Sequence, residues 1–247
     1  MDFGSPLGHD GRRSIILIQM TRLTASAMVA TMIAVPAPPP FESAYVDHDF
    51  ELTADPATPE WRTAPSVEMG NDYFGKPIAG DPTVIRSRWS NTHLYLLYAC
   101  PYDELNLRPN PNPAVETPQL WNNDVAEVFI GWDADRINRY KELQVSPQGE
   151  WVDLDIDRDN SKGQGGMGWN SGYSVKARID RDRKIWYGEM RIPISAIDER
   201  TTPLRGRAFR VGFFRIAGVT DKKHYAWSPT GRTSFHVPAA FGQLILR

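Results

Sequence analysis

The chain is poor in the features that would declare an activity. It has one cysteine, so no internal disulfide can form. Cys100 ends the apolar run "LYLLYAC" and reads as a small buried hydrophobe, and one thiol assigns no redox compartment. No uninterrupted apolar run reaches the roughly 18 residues of a membrane span. There is no excess of either charge: the net charge is −2 and lysine and arginine are scattered, which excludes a nucleic-acid footprint of the usual kind. The five histidines, His9, His48, His93, His224 and His236, fall in neither HxH nor HExxH spacing. No serine stands in a GxSxG elbow. The glycine-rich stretch "SKGQGGMGW" has no strand before it and helix after it, so it reads as a flexible loop rather than a phosphate cradle. Long helical patterns are missing too, and only "ISAIDER" is helix-like.

What is present is alternation. The 247 residues are 41% hydrophobic and 23% charged, an ordinary globular balance with enough length for a sizeable core. Short period-2 runs separated by turn residues begin near residue 41: "TVIRSRW", "HLYLLYAC", "DVAEVFIGW", "RYKELQV", "WVDLDI", "SVKARI", "IWYGEMRI", "FRVGFFRIAG" and "FGQLILR". They predict an all-β domain over 41–247, a β-sandwich of two antiparallel sheets. Residues 1–40 differ. Basic residues, two short apolar stretches and the block "VPAPPP" read either as a weak signal peptide starting at Met20 or as an N-terminal extension, with an extended proline linker in both cases. The first of these readings carries the expectation of a secreted or periplasmic protein.

Alternation also sorts faces. Ala126, Val128 and Ile130 share one side of their strand, leaving Glu127 with Val125 and Phe129. Tyr140, Glu142 and Gln144 oppose Leu143 and Val145. In "WVDLDI", Val152, Leu154 and Ile156 read as core, with Trp151, Asp153 and Asp155 opposite. If these strands are neighbours, one open face collects Glu127, Tyr140, Glu142, Gln144, Trp151 and Asp153, with Trp121 in the loop feeding it. Such a face suits a sugar: a pyranose lies flat on an aromatic ring while carboxylates accept bonds from its hydroxyls. Asp124 reads either as a structural acid bonding loop amides at the strand start or as a solvated one. "DLDIDRD" alternates acids but lacks the glycine of a calcium hand and reads as a charged strand rim.

Five pieces, in order, resemble family 9 carbohydrate-binding modules: "SRWSNTHLYLLYAC", "LWNNDVAEVFIG" as a W-x-x-D-x-x-E-x-F-I motif, "KELQVSPQGEW", "IWYGEMRIPISAI" and "YAWSPTGRTSFHVPAAFGQLIL". The resemblance implies a β-sandwich without catalysis that holds sugar chain ends, of xylan or cellulose type, between two aromatic rings. It implies association with polysaccharide-degrading enzymes such as xylanases, and a structural calcium, for which Asp47, Asp49 and Asp72 are candidate ligands. Trp121 matches the first ring and Glu127 the acid that accepts sugar hydroxyl bonds. Phe235 falls where a tryptophan is usual, Gln144 where an arginine is usual, and Arg232 where an asparagine is usual. Two rival readings remain: a glycoside hydrolase using acids of the same face, and a haem-binding electron-transfer sandwich pairing Met69 or Met190 with His236.

Overall fold

A computed structural model of the protein describes residues 37–160, 168–198, 200 and 205–247, all within one compact unit. Most of the N-terminal extension, residues 1–36, and residues 161–167 of the glycine-rich loop lie outside the described residues.

Twelve strands are described. One sheet runs β7 (Trp151–Asp157), β6 (Arg139–Val145), β5 (Val125–Gly131), β10 (Ala208–Ala217), β12 (Gly242–Leu246), with β11 (Lys223–Ala226) beside β10. The other runs β3 (Thr83–Trp89), β4 (His93–Pro101), β9 (Ile185–Pro193), β8 (Ser174–Asp180), with β2 (Ser66–Met69) beside β3. The chain is all-β, as expected, and every pairing is antiparallel except those of β1 (Phe41–Tyr45). β1 belongs to both sheets: Phe41, Glu42 and Ser43 run parallel to Leu244–Leu246, and Ala44 and Tyr45 run parallel to Arg88 and Trp89. The helix-like "ISAIDER" forms only a single turn, Ile194–Ile197.

The main core lies between the sheets. Ala126, Val128, Ile130, Leu143 and Val145 meet Leu94, Leu96, Tyr98, Trp186, Met190 and Ile192, and Cys100 is buried among them as expected. The sheets approach closely at Gly188, where a Cβ would lie 2.8 Å from both Trp186 and Val145, so the absence of a side chain sets the spacing.

Both sheets are also covered on their outer faces. The second sheet carries the segment Phe50–Ala64, whose Ala54 and Trp61 pack on Tyr95, Leu97 and Tyr187. The fastening point is Glu189 of β9, fully buried, whose carboxylate accepts from the amides of Thr53 and Ala54 at 2.7 and 2.6 Å and from the Trp61 indole at 2.7 Å. The first sheet carries an aromatic layer made with the segment Phe235–Phe241, and this layer holds the candidate site.

Candidate functional site

The outer face of the first sheet is set by register. Glu127 pairs with Gln144 and Phe214, and Phe129 pairs with Glu142 and Gly212. On the far side, Gln144 pairs with Val152, Glu142 with Leu154 and Tyr140 with Ile156. Glu127, Tyr140, Glu142 and Gln144 therefore share a face, as the alternation predicts. The expectation for β7 is overturned. Val152, Leu154 and Ile156 join this polar face, and Trp151 and Asp153 lie on the opposite side, across from Val145 and Leu143. There the Asp153 carboxylate accepts from the Ser171 amide at 2.6 Å, and Trp151 donates to the Pro113 carbonyl at 3.0 Å while meeting Tyr173 edge-on. The charged rim expected of "DLDIDRD" holds for its later acids: Asp155 pairs with Lys141 at 2.7 Å and Asp157 with Arg139 at 3.1 Å.

The face is buried, not open. Glu127 is 2% exposed, Glu142 3% and Gln144 0%. An aromatic layer covers them. Phe214 lies flat against Phe235, ring centroids 4.3 Å apart, and Phe235 meets Tyr73 at 4.8 Å. Gly212 makes room for this, because a Cβ there would fall about 2.5 Å from the Phe214 ring. Phe129 packs between Phe214, Tyr140 and His236. Trp121 sits at the edge of the same cluster, partly exposed, on a 3₁₀ turn Leu120–Asn122. That turn is entered through Gln119 at φ 58°, a left-handed conformation unusual outside glycine. Arg232 is exposed on the covering loop, where its amide and carbonyl both bond the Thr230 hydroxyl.

Tyr73 is the site residue that the sequence reading missed. It arrives from a turn some fifty residues upstream of Trp121, and no spacing links the two. Its turn is held by Asp72, whose Oδ1 accepts from the amides of Phe74 and Lys76 at 2.8 and 2.9 Å, and by Gly75 at φ 80°. Its carbonyl accepts from Gly231 at 2.7 Å, which ties it to the covering loop, and its ring stacks on His224 at 5.0 Å. Phe74 beside it is 46% exposed. Asp124 has the structural role: fully buried, its Oδ1 accepts from the Gly218 amide at 2.8 Å.

The electrostatics follow from burial. Desolvation pushes the Glu127 carboxyl well above the usual carboxylate range, and the neighbouring Glu142 pushes it further against the pull of Lys222. Desolvation raises Glu142 to about 7, opposed by the amide of Gln144, which donates to its Oε1 at 2.6 Å. His236 is lowered to about 4 by desolvation and by Arg158, so it is a neutral imidazole, its Nδ1 2.7 Å from the Tyr140 hydroxyl and its Nε2 3.9 Å from Glu142. Lys222 holds its ammonium at the rim, against the carbonyls of Trp121 and Asn122 at 3.3 and 3.5 Å.

One expectation fails here. The haem pairing is excluded by position: Met69 and Met190 lie in the core between the sheets, whereas His236 lies on the outer aromatic layer beyond β5. The three acids read as candidate calcium ligands each have partners within the protein. Asp72 is spent on its own turn, and Asp47 pairs with His48 at 2.7 Å. Asp49 accepts from Ser90, from Thr92 at 2.7 Å, Tyr95 at 2.9 Å and His93 at 3.1 Å. Burial pushes the Asp49 carboxyl up, but these hydrogen bonds outweigh it and hold it far below its usual range. Among the described residues no cluster of three or more acids, histidines or cysteines is arranged to hold a metal ion. The structural calcium implied by the family resemblance is checked by exhaustive chelation: a drop of several degrees in the melting temperature, reversed by calcium, is the expected result, and an unchanged value removes the ion from the fold.

Two of the clefts among the described residues lie away from the aromatic layer, of which only Tyr140 lines either. The larger, about 450 Å³, lies between Pro101, Lys184, Arg215 and Tyr225, and the smaller between Trp132, Arg139 and Tyr140. Glu127 and Glu142 are both buried, so they do not flank an open groove as a hydrolytic pair would. Among the described residues no helix is long and apolar enough to cross a membrane.

Comparison with known proteins agrees with this fold. The family described as "Carbohydrate family 9 binding domain-like" matches residues 56–247. A candidate carbohydrate-binding protein from Bacteroides uniformis superposes with a TM-score of 0.66 at 14% identity, over 84% of this chain and 99% of that one. A family 9 carbohydrate-binding module from Caldicellulosiruptor kristjanssonii superposes with a TM-score of 0.58 in two structures. The one with glucose is 13% identical over 83% of this chain and 95% of that one, and the one with cellotriose is 14% identical over 85% and 94%. No curated protein sequence matches the chain significantly.

Proposed function

The chain belongs to the carbohydrate family 9 binding domain-like family, and from that premise we propose that it binds carbohydrate, without catalysis, at the aromatic edge of the first sheet. The observation that carries this is the convergence of Trp121, Phe235 and Tyr73 on the face that holds Glu127. Rings supply stacking area at small entropy cost. Glucose and cellotriose, bound by the family 9 module of C. kristjanssonii, support the ligand class. Our reading extends to chain ends of xylan or cellulose type, to a role in polysaccharide catabolism beside degrading enzymes, and to a secreted or periplasmic setting. The family resemblance supports these.

The clamp differs from the one the family pattern implies. One face of Phe235 is already committed to Phe214, so Phe235 offers an edge or a single face rather than a free plate. Enlarging it to tryptophan would overpack a filled layer, at about 1–3 kcal/mol. Trp121, partly exposed, is the ring available to stack.

Trp121→Ala should weaken binding of cello- or xylo-oligosaccharides by about ten- to hundredfold, the value of the lost stacking area. Calorimetric titration of the parent and variant reads this directly. Equal affinities would remove Trp121 from the site and this face with it.

A further inference from the structure

We propose that the larger cleft, at the end of the sandwich beside Arg215, is a second ligand site and that it takes a sugar acid, a saccharide unit bearing one carboxylate. This site lies apart from the aromatic edge, and its occupancy does not depend on Trp121.

The floor of the cleft is built by β10 and β11. Arg215 pairs with Ala126 on one side and with Tyr225 on the other. Phe213 and Ala217, two residues away in either direction, join the core between the sheets, so alternation sends the Arg215 side chain the same way. A guanidinium thus stands at the end of an apolar core, in a residue that is 1% exposed. One Nη donates to the Thr83 hydroxyl at 2.9 Å and the other to the Pro101 carbonyl at 2.6 Å, and the group lies 5.1 Å from the centre of the Tyr225 ring. Its Nε is buried without a partner. Both acceptors are neutral, and among the described residues no carboxylate forms an ion pair with it. Asp124 senses its charge through space, but burial works against ionisation of that carboxyl. A tie between the sheets needs only donors, which a neutral side chain could supply. A buried cation short of counter-charge is costly. Unlike Glu127 and Glu142, this charge borders open space, because Arg215 lines the cleft together with Pro101 and Tyr225.

The cleft, about 450 Å³, falls within the roughly 300–1,000 Å³ of small-molecule sites. Its rim carries charges of both signs, and position decides which of them counts. Glu104 is spent on the amides of Val219 and Thr220, at 2.8 and 2.7 Å, and Asp103 stands 3.6 Å from Lys223. Asp81, Arg183, Lys184 and Asp221 are exposed, so water and salt screen them. At equal distance a charge in the protein wall, at an effective dielectric of about 20, acts roughly four times as strongly as one in water. The anionic group of a ligand is therefore drawn to the floor, where a planar carboxylate suits a guanidinium. The rim sets the rest of the ligand. Asp81 and Asp221 can accept from sugar hydroxyls and Lys184 can donate to them. Lys184 is fixed there by the Tyr102 amide, which donates to its carbonyl at 2.9 Å. Tyr102 and Tyr225 add ring surface for a sugar face. A bare anion would use the floor and leave the rim idle.

The test is titration of the isotope-labelled full chain with D-glucuronate, D-glucose and acetate, followed through its amide resonances. D-glucuronate should shift the amides of Lys184, Gly218 and Thr220 saturably. It should bind there about tenfold or more tightly than glucose, the difference between a charge-assisted and a neutral hydrogen bond, and more tightly than acetate, which has no hydroxyls for the rim. Trp121→Ala should leave this affinity within about twofold. Arg215→Gln keeps a donor and removes the charge, so it should weaken D-glucuronate about tenfold. Ala79→Trp, at an exposed rim position, should block the cleft without disturbing the core, which keeps the site testable if the arginine variant fails to fold. Shifts confined to the aromatic edge, around Trp121 and Tyr73, would overturn the second site and leave the first standing. Glucose binding as tightly as D-glucuronate at these amides would overturn the part given to the Arg215 charge, and acetate doing so would overturn the sugar. No saturable shift with D-glucuronate would overturn the whole proposal, whatever cellotriose does at Trp121.

Discussion

Glu189→Ala is expected to destabilise the protein by on the order of 4 kcal/mol, a large part of the roughly 5–15 kcal/mol that holds a domain together. The carboxylate satisfies three donors, two amides and an indole, beneath the segment that covers the second sheet. Alanine leaves those donors buried without acceptors and opens a void beside Trp61, which is fully buried. Glu189→Gln retains one carbonyl acceptor and should cost clearly less. Urea denaturation of the parent and both variants gives the ordering. If alanine costs under about 1 kcal/mol, the covering segment is held by its apolar contacts alone.

The second large effect is in pH. The folded-state pKa of Glu142, about 7, lies above the 4.5 of an ordinary glutamate. Between these values the folded chain holds a proton that the unfolded chain has lost. Stability contributed by this group therefore falls as pH rises from about 4.5 to 7 and levels off above that. The groups facing it are Glu127, which shifts the same way, the neutral His236, Tyr140, and Lys222 at the rim. Glu142→Gln needs no proton, so above pH 7 it should be more stable than the parent by on the order of 3 kcal/mol, with a flatter pH profile. Denaturation at several pH values between 5 and 8 checks this. A parent that gains stability across that range, or a variant with the parent's slope, would refute it.

How much of this was legible beforehand depends on which surface buries each residue. β4, β5, β6 and β9 were readable, because their core sides are apolar and their other sides carry at least one acid, amide or tyrosine. "WVDLDI" was not. Its apolar residues point away from the main core, into the aromatic layer under Phe235–Phe241, while Asp153 is buried by one loop amide and Trp151 caps the edge of the core. Alternation tells two faces apart, but a sheet buried on both sides gives it no sign. The openness of the site was misjudged for the same cause: nothing in "RYKELQV" announces that a loop nearly a hundred residues later will cover Glu142. Trp121, Glu127, Gln144, Arg232 and Phe235 could be picked out by resemblance to a motif. Tyr73 could not, since its place depends on a turn tied to Gly231 by one backbone bond.

The strand shared between the sheets sets an order of events for a chain made from its N-terminus. Phe41–Ser43 must find Leu244–Leu246, some two hundred residues further along the chain, before the two sheets are joined. During synthesis β1 therefore waits, with its buried Phe41 exposed, until Leu244–Leu246 have emerged. A ribosome stalled short of Gly242 would display a chain whose two sheets are not yet joined, vulnerable to proteases and to pairing with a neighbour. The step that joins the sheets therefore depends on two segments far apart in the chain.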